Sequence, residues 1–168
     1  ELAKQVDRLM ASPRFETAIR DFFADMLYFN LFADLAKDSE IYPAFNSAVA
    51  ADSREQTVRT ITHHLLESGG DYRELFTTRS APLTRSLGIL YRMPVATRHG
   101  WSMGEFSESS GRAGIQSQVS FLALHSHPGR SSPTLRGKAI REIFLCQHVP
   151  DPPADVDFTG INDIANPE

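Results

Sequence analysis

The chain has 168 residues, of which 41% are apolar, and this is typical of a globular protein, since domains most often run to roughly 100 to 150 residues. Its net charge is −4, and 17 basic residues are scattered among 21 acidic ones, so no basic face suited to nucleic acid is visible. No apolar run approaches the ~20 residues that a membrane span needs. We therefore expect no nucleic-acid partner and no membrane span.

The N-terminal part, residues 1–92, is predicted to be a helical unit. Its first ten residues, "ELAKQVDRLM", have the pattern of an amphipathic helix, and Ser12-Pro13 combines a helix cap with a first-turn proline. A further helix starts at Pro43, or alternatively near Asp52, and runs toward two glycines. The predicted helices cover about 1–10, 13–29, 43–68, 71–76 and 83–91.

The C-terminal part is predicted to be smaller and rich in loops. Residues 93–111 are rich in glycine and serine without a sustained period, which predicts a linking loop. Residues 112–168 then form a helical, loop-rich unit in which 115–124 is a short helix or a buried segment. Prolines at 150, 152 and 153, the last two of them consecutive, exclude a helix and predict an extended, proline-rich exit. The predicted fold class is mainly α.

Gly137 follows a second cap-plus-proline start, Ser132-Pro133, and raises a question about the helix that begins there. Glycine inside a helix costs about 1 kcal/mol relative to alanine. Two interpretations are open. Either a close backbone contact at Gly137 compensates for this cost, or the helix begins only after Gly137.

Cysteine content limits the cofactor chemistry of the chain. Cys146 is the only cysteine, which excludes an internal disulfide and the CxxCH motif that attaches a c-type haem. We therefore expect no haem within this chain. The chain also lacks an initiator Met and stops at "INDIANPE" without a terminating element, so we expect it to be a fragment of a longer protein.

Four residues near the C-terminal helix have the side chains of a transition-metal site: His125, His127, Cys146 and His148. In an extended segment, residues two apart point to one face, so His125 and His127 could reach the same ion. Cys146 and His148 would supply the remaining ligands. In the alternative interpretation, Cys146 is a buried core residue and the histidines lie in a polar loop.

Aromatic residues near the linking loop suggest another kind of site. Trp101, Phe106 and Tyr91 could form a platform on which a carbohydrate or another polymer stacks. The platform would have to be exposed and coplanar. In the alternative interpretation, the loop aromatics anchor the loop to the core.

The segment "GIQSQVSFLALHSHPGRSSPTLRGKAIREIFLCQHVPDPP" resembles the domain of unknown function numbered 1588. The resemblance implies that its motif residues determine the fold and the docking of the unit. In this chain they are Arg112 with Gly114-Ile115, Ser120-Phe121-Leu122, Ser132-Pro133, Arg136-Gly137-Lys138, Leu145-Cys146, and Pro150, Pro152 and Pro153 of the exit.

The segments "VDRLMASPRFETAIRDFFADML" and "YPAFNSAVAADSREQTVRTITHHLLESGGDYRELFTT" resemble the domain of unknown function numbered 1592. Such domains typically occur together in large exported planctomycete-type proteins that carry separate c-type cytochrome domains. The resemblance thus implies an extracytoplasmic setting, with haem c held only by a separate domain.

The leading hypothesis is a non-catalytic scaffold or docking module of such a protein, whose partners are neighbouring domains, a cytochrome c domain among them. A metal-binding or metal-dependent enzyme module is the first alternative. Binding of a polymer or carbohydrate is the second alternative.

Overall fold

The computed structural model describes residues 1–151 and 153, and its secondary structure is mainly helical, which confirms the predicted fold class. The α-helices are α1 (Leu2–Met10), α2 (Phe15–Met26), α3 (Ser47–Thr62), α4 (Arg85–Tyr91), α5 (Val119–Leu124) and α6 (Pro133–Ala139). Short 3-10 turns lie at Phe29–Asp34, Tyr72–Phe76, Glu108–Ser110 and Ile115–Ser117, and π turns extend α3 at His63–Glu67 and α6 at Ile140–Phe144. None of the helices in the described part combines the length and the apolar character that crossing a bilayer requires.

The start of α3 differs from both predicted positions. The side chain of Asn46 accepts a hydrogen bond from the backbone N–H of Val49 at 3.0 Å, so Asn46 caps the helix and α3 begins at Ser47. Neither Pro43 nor Asp52 starts it. The sequence contains several possible caps in this region, and packing of α3 against the core selects one of them.

The predicted helix starts at the two Ser-Pro pairs have different outcomes. The side chain of Ser132 accepts a hydrogen bond from the N–H of Leu135 at 3.2 Å, which confirms the predicted start of α6 with proline in the first turn. Ser12, by contrast, accepts only from the N–H of Arg14 at 3.3 Å, and α2 begins later, at Phe15.

Gly137 lies inside α6, and both interpretations of it are contradicted. The helix begins before Gly137, at Pro133, and no atom outside the helix's own backbone and the glycine's chain neighbours lies within 4 Å of the position that a Cβ would take. No close contact in the described part of the chain therefore explains this glycine.

A two-stranded antiparallel sheet joins β1 (Ser80–Leu83) to β2 (Ser102–Glu105), with Ser80 opposite Glu105 and Leu83 opposite Ser102. Strand β2 lies within the predicted linking loop, so that stretch is not wholly irregular. Strand β1 also takes up the residues before α4, which begins at Arg85 with the side chain of Thr84 as its cap.

Buried apolar residues form two clusters, and helix α3 contributes to both. The first cluster draws on residues from both predicted units: Phe23, Leu27, Phe29, Val58, Ile61, Leu75, Ile115, Phe121, Ala139 and Ile143. The second surrounds the sheet and contains Val49, Ala81, Leu83, Leu87, Tyr91 and Phe106. The N-terminal and C-terminal parts therefore share a core, while the boundaries assigned to them stay a prediction.

Tyr91 links α3 to the start of α5 through its buried hydroxyl. The hydroxyl donates to Gln56 Oε1 at 2.7 Å and accepts from the backbone N–H of Val119 at 2.8 Å. Burial raises the pKa of Tyr91 to about 12, so the hydroxyl keeps the proton that it donates.

Three more buried polar side chains continue this link. Thr57 Oγ1 lies 2.6 Å from Gln118 Oε1, to which it donates, and 2.6 Å from Ser120 Oγ. We call Gln56, Thr57, Tyr91, Gln118 and Ser120 the polar seam. Buried polar groups stabilise a fold only when they are paired, so the seam favours one arrangement of α3, α4 and α5.

Candidate functional site

The structure places His125 directly after α5, against the ring of Phe121, with the two ring centroids 4.6 Å apart. Its Nε2 atom is buried and has no hydrogen-bond partner within the described residues. Burial lowers the pKa of His125, because a buried imidazolium loses its hydration. The ring therefore favours the neutral form.

The other three candidate ligands have different surroundings. His127 is half-buried, and its backbone carbonyl accepts a hydrogen bond from Lys37 Nζ at 3.0 Å. Cys146 is exposed and has a left-handed backbone with φ of 51°, so the interpretation of Cys146 as a buried core residue is wrong. His148 is exposed, with its Nδ1 3.9 Å from Glu142 Oε1.

These four side chains do not form a common group. Among residues 1–151 and 153, no three histidine, cysteine, aspartate or glutamate side chains are placed so that they could hold a metal ion together. The metal hypothesis thus gains no support from the described part of the chain.

The three candidate aromatic residues do not form an exposed platform. Tyr91 and Phe106 are buried and pack edge to face, with ring centroids 4.9 Å apart and an interplanar angle of 70°. Trp101 is half-buried, and the guanidinium of Arg59 lies 4.9 Å from its ring centroid. The coplanar platform is contradicted, and these aromatics anchor the segment to the core instead.

The residues of the predicted family motif lie in different surroundings. Arg112 donates from Nη1 to the carbonyl of Ser117 at 2.9 Å, and its guanidinium lies 5.1 Å from the ring centroid of Tyr91. Lys138 Nζ lies 3.7 Å from an oxygen of Asp151. Pro153 is exposed, and Pro152 lies outside the described residues.

Gly114 of the motif has a backbone that only glycine adopts readily, with φ of 72°. Its N–H donates to the carbonyl of Thr78 at 2.7 Å. A Cβ at this position would overlap the carbonyl oxygen of Phe76. The glycine thus lets the two parts of the chain approach each other closely.

A groove of about 580 Å³ lies between the segment after Lys37, the end of α4, helix α5 and the start of α6. Four cations line it: Lys37, Arg92, Arg112 and Arg136. No aspartate or glutamate is among its lining residues. We call this the cationic groove.

Lys37 is held at the groove by three hydrogen bonds. Its Nζ donates to Ser126 Oγ at 2.9 Å, to the Ser126 carbonyl at 3.0 Å and to the His127 carbonyl at 3.0 Å. An ammonium group has three N–H bonds, so all of them are used. Burial lowers the pKa of Lys37. Lys37 therefore fixes the loop that follows α5 and adds positive charge to the groove.

The arginines of the groove retain unused donors. Arg136 donates from Nη1 to Ser131 Oγ at 2.9 Å, which leaves most of its N–H groups open. The side chain of Arg92 is exposed and makes no hydrogen bond within the described residues. None of the four groove cations takes part in an ion pair within residues 1–151 and 153.

A second groove adjoins the first and shares Ile89 and Arg92 with it. Two more cations, Arg85 and Arg98, line this second groove, and its lining also contains no acidic side chain. Six cations therefore line two adjoining grooves on a chain whose net charge is −4.

The sequence did not reveal the cationic groove. The family resemblance includes Arg112 and Arg136 among its motif residues but neither Lys37 nor Arg92, and these four residues are far apart along the chain. The groove is distinguished by the absence of carboxylates from its walls. This feature depends on the fold and is not visible in the sequence.

Residues 1–93 match the family model described as "PSD4: Protein of unknown function (DUF1592)", and because this match covers more than half of the chain, the protein belongs to that family. Residues 112–166 match the model described as "PSCyt3: Protein of unknown function (DUF1588)". Both resemblances to planctomycete-type cytochrome c-associated domains are confirmed, each in its predicted part of the chain. No curated protein and no solved structure matches the chain.

Proposed function

We propose that this chain is a non-catalytic scaffold and docking module of a larger exported protein that also carries c-type cytochrome domains. Its partners are neighbouring domains of the same polypeptide, a cytochrome c domain among them, and haem c is held by that separate domain. The module works outside the cytoplasm, where such cytochromes transfer electrons, and it positions domains relative to one another.

The main support for the proposal is that residues from both matched regions form the walls of the groove. Lys37 and Arg92 come from the region that matches the first family, and Arg112 and Arg136 come from the region that matches the second. Neither region alone contains the groove. A shared docking surface gives a physical reason for the two regions to occur in one chain.

The chemistry of the groove side chains supports binding rather than catalysis. Arginine does not release its proton in proteins, so the three arginines are suited to binding anions and not to proton transfer. Lys37 uses all of its N–H bonds on the oxygens of Ser126 and His127. Ser126 Oγ lies within hydrogen-bond distance of the Ala123 carbonyl as well as of Lys37.

The test uses this chain and the remaining domains of the full-length polypeptide, produced as separate proteins. We expect the two to form a complex in isothermal titration calorimetry, and we expect Leu122→Asp, a change in the groove wall, to weaken it. Ile19→Asp, at a partly buried apolar residue outside the groove lining, is the matched control. Absence of a complex would contradict the proposal, as would substrate turnover by the purified chain that one substitution abolishes.

A further inference from the structure

We infer that the cationic groove receives an acidic peptide segment, in which carboxylate side chains are separated by apolar ones. This inference rests on the docking function proposed above and names the chemistry of the partner. The segment lies along the groove with its carboxylates at the arginines and its apolar side chains against the wall between them.

The charge of the groove favours an acidic ligand. The chain as a whole carries a charge of −4, yet the residues that line the groove include four cations and no carboxylate. The four cations line one groove, and no carboxylate of the described chain forms an ion pair with them. A partner that carries carboxylates would therefore be attracted to the groove.

The geometry of the guanidinium group favours carboxylates as its partners. A guanidinium presents parallel N–H bonds that match the two oxygens of a carboxylate. Arg92 has all of its side-chain donors unused within the described residues, and Arg136 uses only Nη1. Because Arg92 lies at the end of α4 and Arg136 in α6, a bound segment would contact both walls of the groove.

The apolar lining of the groove favours a peptide over a small anion as the ligand. Ile41, Tyr42 and Ile89 line the groove and are 54%, 37% and 64% exposed. Burial of such side chains by a partner is favourable because it removes apolar surface from water. An inorganic anion would use the cations and leave this surface in water, whereas a peptide with alternating acidic and apolar residues uses both.

The test measures binding of a fluorescent peptide in which aspartate alternates with leucine, by fluorescence anisotropy on the full chain. The matched probe has asparagine in place of each aspartate. We expect the aspartate peptide to bind at least tenfold more tightly, and added salt to weaken its binding but not that of the asparagine peptide. Equal binding of the two peptides would overturn the inference.

Two variants locate the binding. Arg92→Asn removes the charge with a residue that tolerates a left-handed backbone, and Arg136→Gln keeps a donor for Ser131. Each is expected to weaken binding of the aspartate peptide about tenfold, because each removes charge-assisted hydrogen bonds to a carboxylate. Arg54→Gln, on the exposed side of α3 and outside the groove, is the control. Unchanged affinity in both groove variants would overturn the inference.

Two further outcomes distinguish this inference from the docking proposal. If inorganic phosphate competes with the aspartate peptide as effectively as the unlabelled peptide does, the groove is a general anion site and the inference fails. If the aspartate peptide does not bind, but the separate domains still form a complex that Leu122→Asp weakens, docking stands and only the acidic chemistry is wrong. If neither binds, both proposals fail.

Discussion

At position 114, both the backbone conformation and the packing require glycine. The φ of 72° at Gly114 is unfavourable for any residue with a Cβ, and the Cβ would also overlap the carbonyl of Phe76. We expect Gly114→Ala to lower the free energy of unfolding by about 1 to 3 kcal/mol, measured by urea denaturation. Gly111→Ala is the control, because Gly111 has φ of 65° but no neighbouring atom within 4 Å. An equal loss in the two variants would show that the contact with Phe76 does not matter.

At position 137, by contrast, neither the backbone conformation nor the packing requires glycine. Gly137 lies inside α6 with open space around it and no unusual backbone angle, so its replacement removes a cost without creating a clash. We expect Gly137→Ala to raise the free energy of unfolding by about 1 kcal/mol, which thermal denaturation would detect as a higher Tm. A lower Tm would mean that the glycine makes a close contact that the structure does not contain.

His125 links stability to pH because its pKa in the folded chain is below that of an unfolded histidine. As the pH falls below about 6.5, the unfolded state takes up a proton before the folded state does, so the folded state loses stability. We expect part of the fall in unfolding free energy between neutral pH and about pH 5 to disappear in His125→Phe. His148→Phe, at an exposed histidine, is the control for the change from histidine to phenylalanine itself. Identical profiles in all three proteins would contradict the assignment.

At the scale of elements, the helices could be predicted from local patterns, whereas the sheet could not. The alternating pattern of a strand is absent from Ser80–Leu83 and from Ser102–Glu105, and Pro82 and Gly104 both weaken the strand signal. The two strands pair across an intervening helix, so their formation depends on contacts distant in sequence. Predictions from local periodicity cannot detect such pairing.

The polar seam joins α3 and α4 to α5, and removal of one of its hydroxyl groups should therefore destabilise the fold. Removing the hydroxyl of Tyr91 leaves Gln56 Oε1 and the N–H of Val119 without their partner. We expect Tyr91→Phe to lower the free energy of unfolding by about 2 to 3 kcal/mol, measured by urea denaturation. Tyr28→Phe, at a side chain that is 50% exposed, should change it little. A neutral Tyr91→Phe would show that the seam does not hold these helices together.

At the scale of the whole molecule, the family and the mainly helical fold could be predicted from the sequence, but the candidate site could not. The family pattern includes Arg112 and Arg136, but it does not indicate that they share a groove with Lys37 and Arg92. Four cations distant along the chain meet only because the first and last parts of the chain share one core. The predicted metal ligands were closer in sequence, yet the fold does not group them.

The most direct test of the proposed docking is to map, by heteronuclear NMR, which backbone amides of this chain shift when the neighbouring domains proposed above are added. We expect the shifted amides to include residues around Arg92 and Lys37 and residues around Arg112 and Arg136, because both regions form the groove. Shifts confined to one of the two regions, or to surfaces away from the groove, would contradict the claim that the two regions together form the docking site.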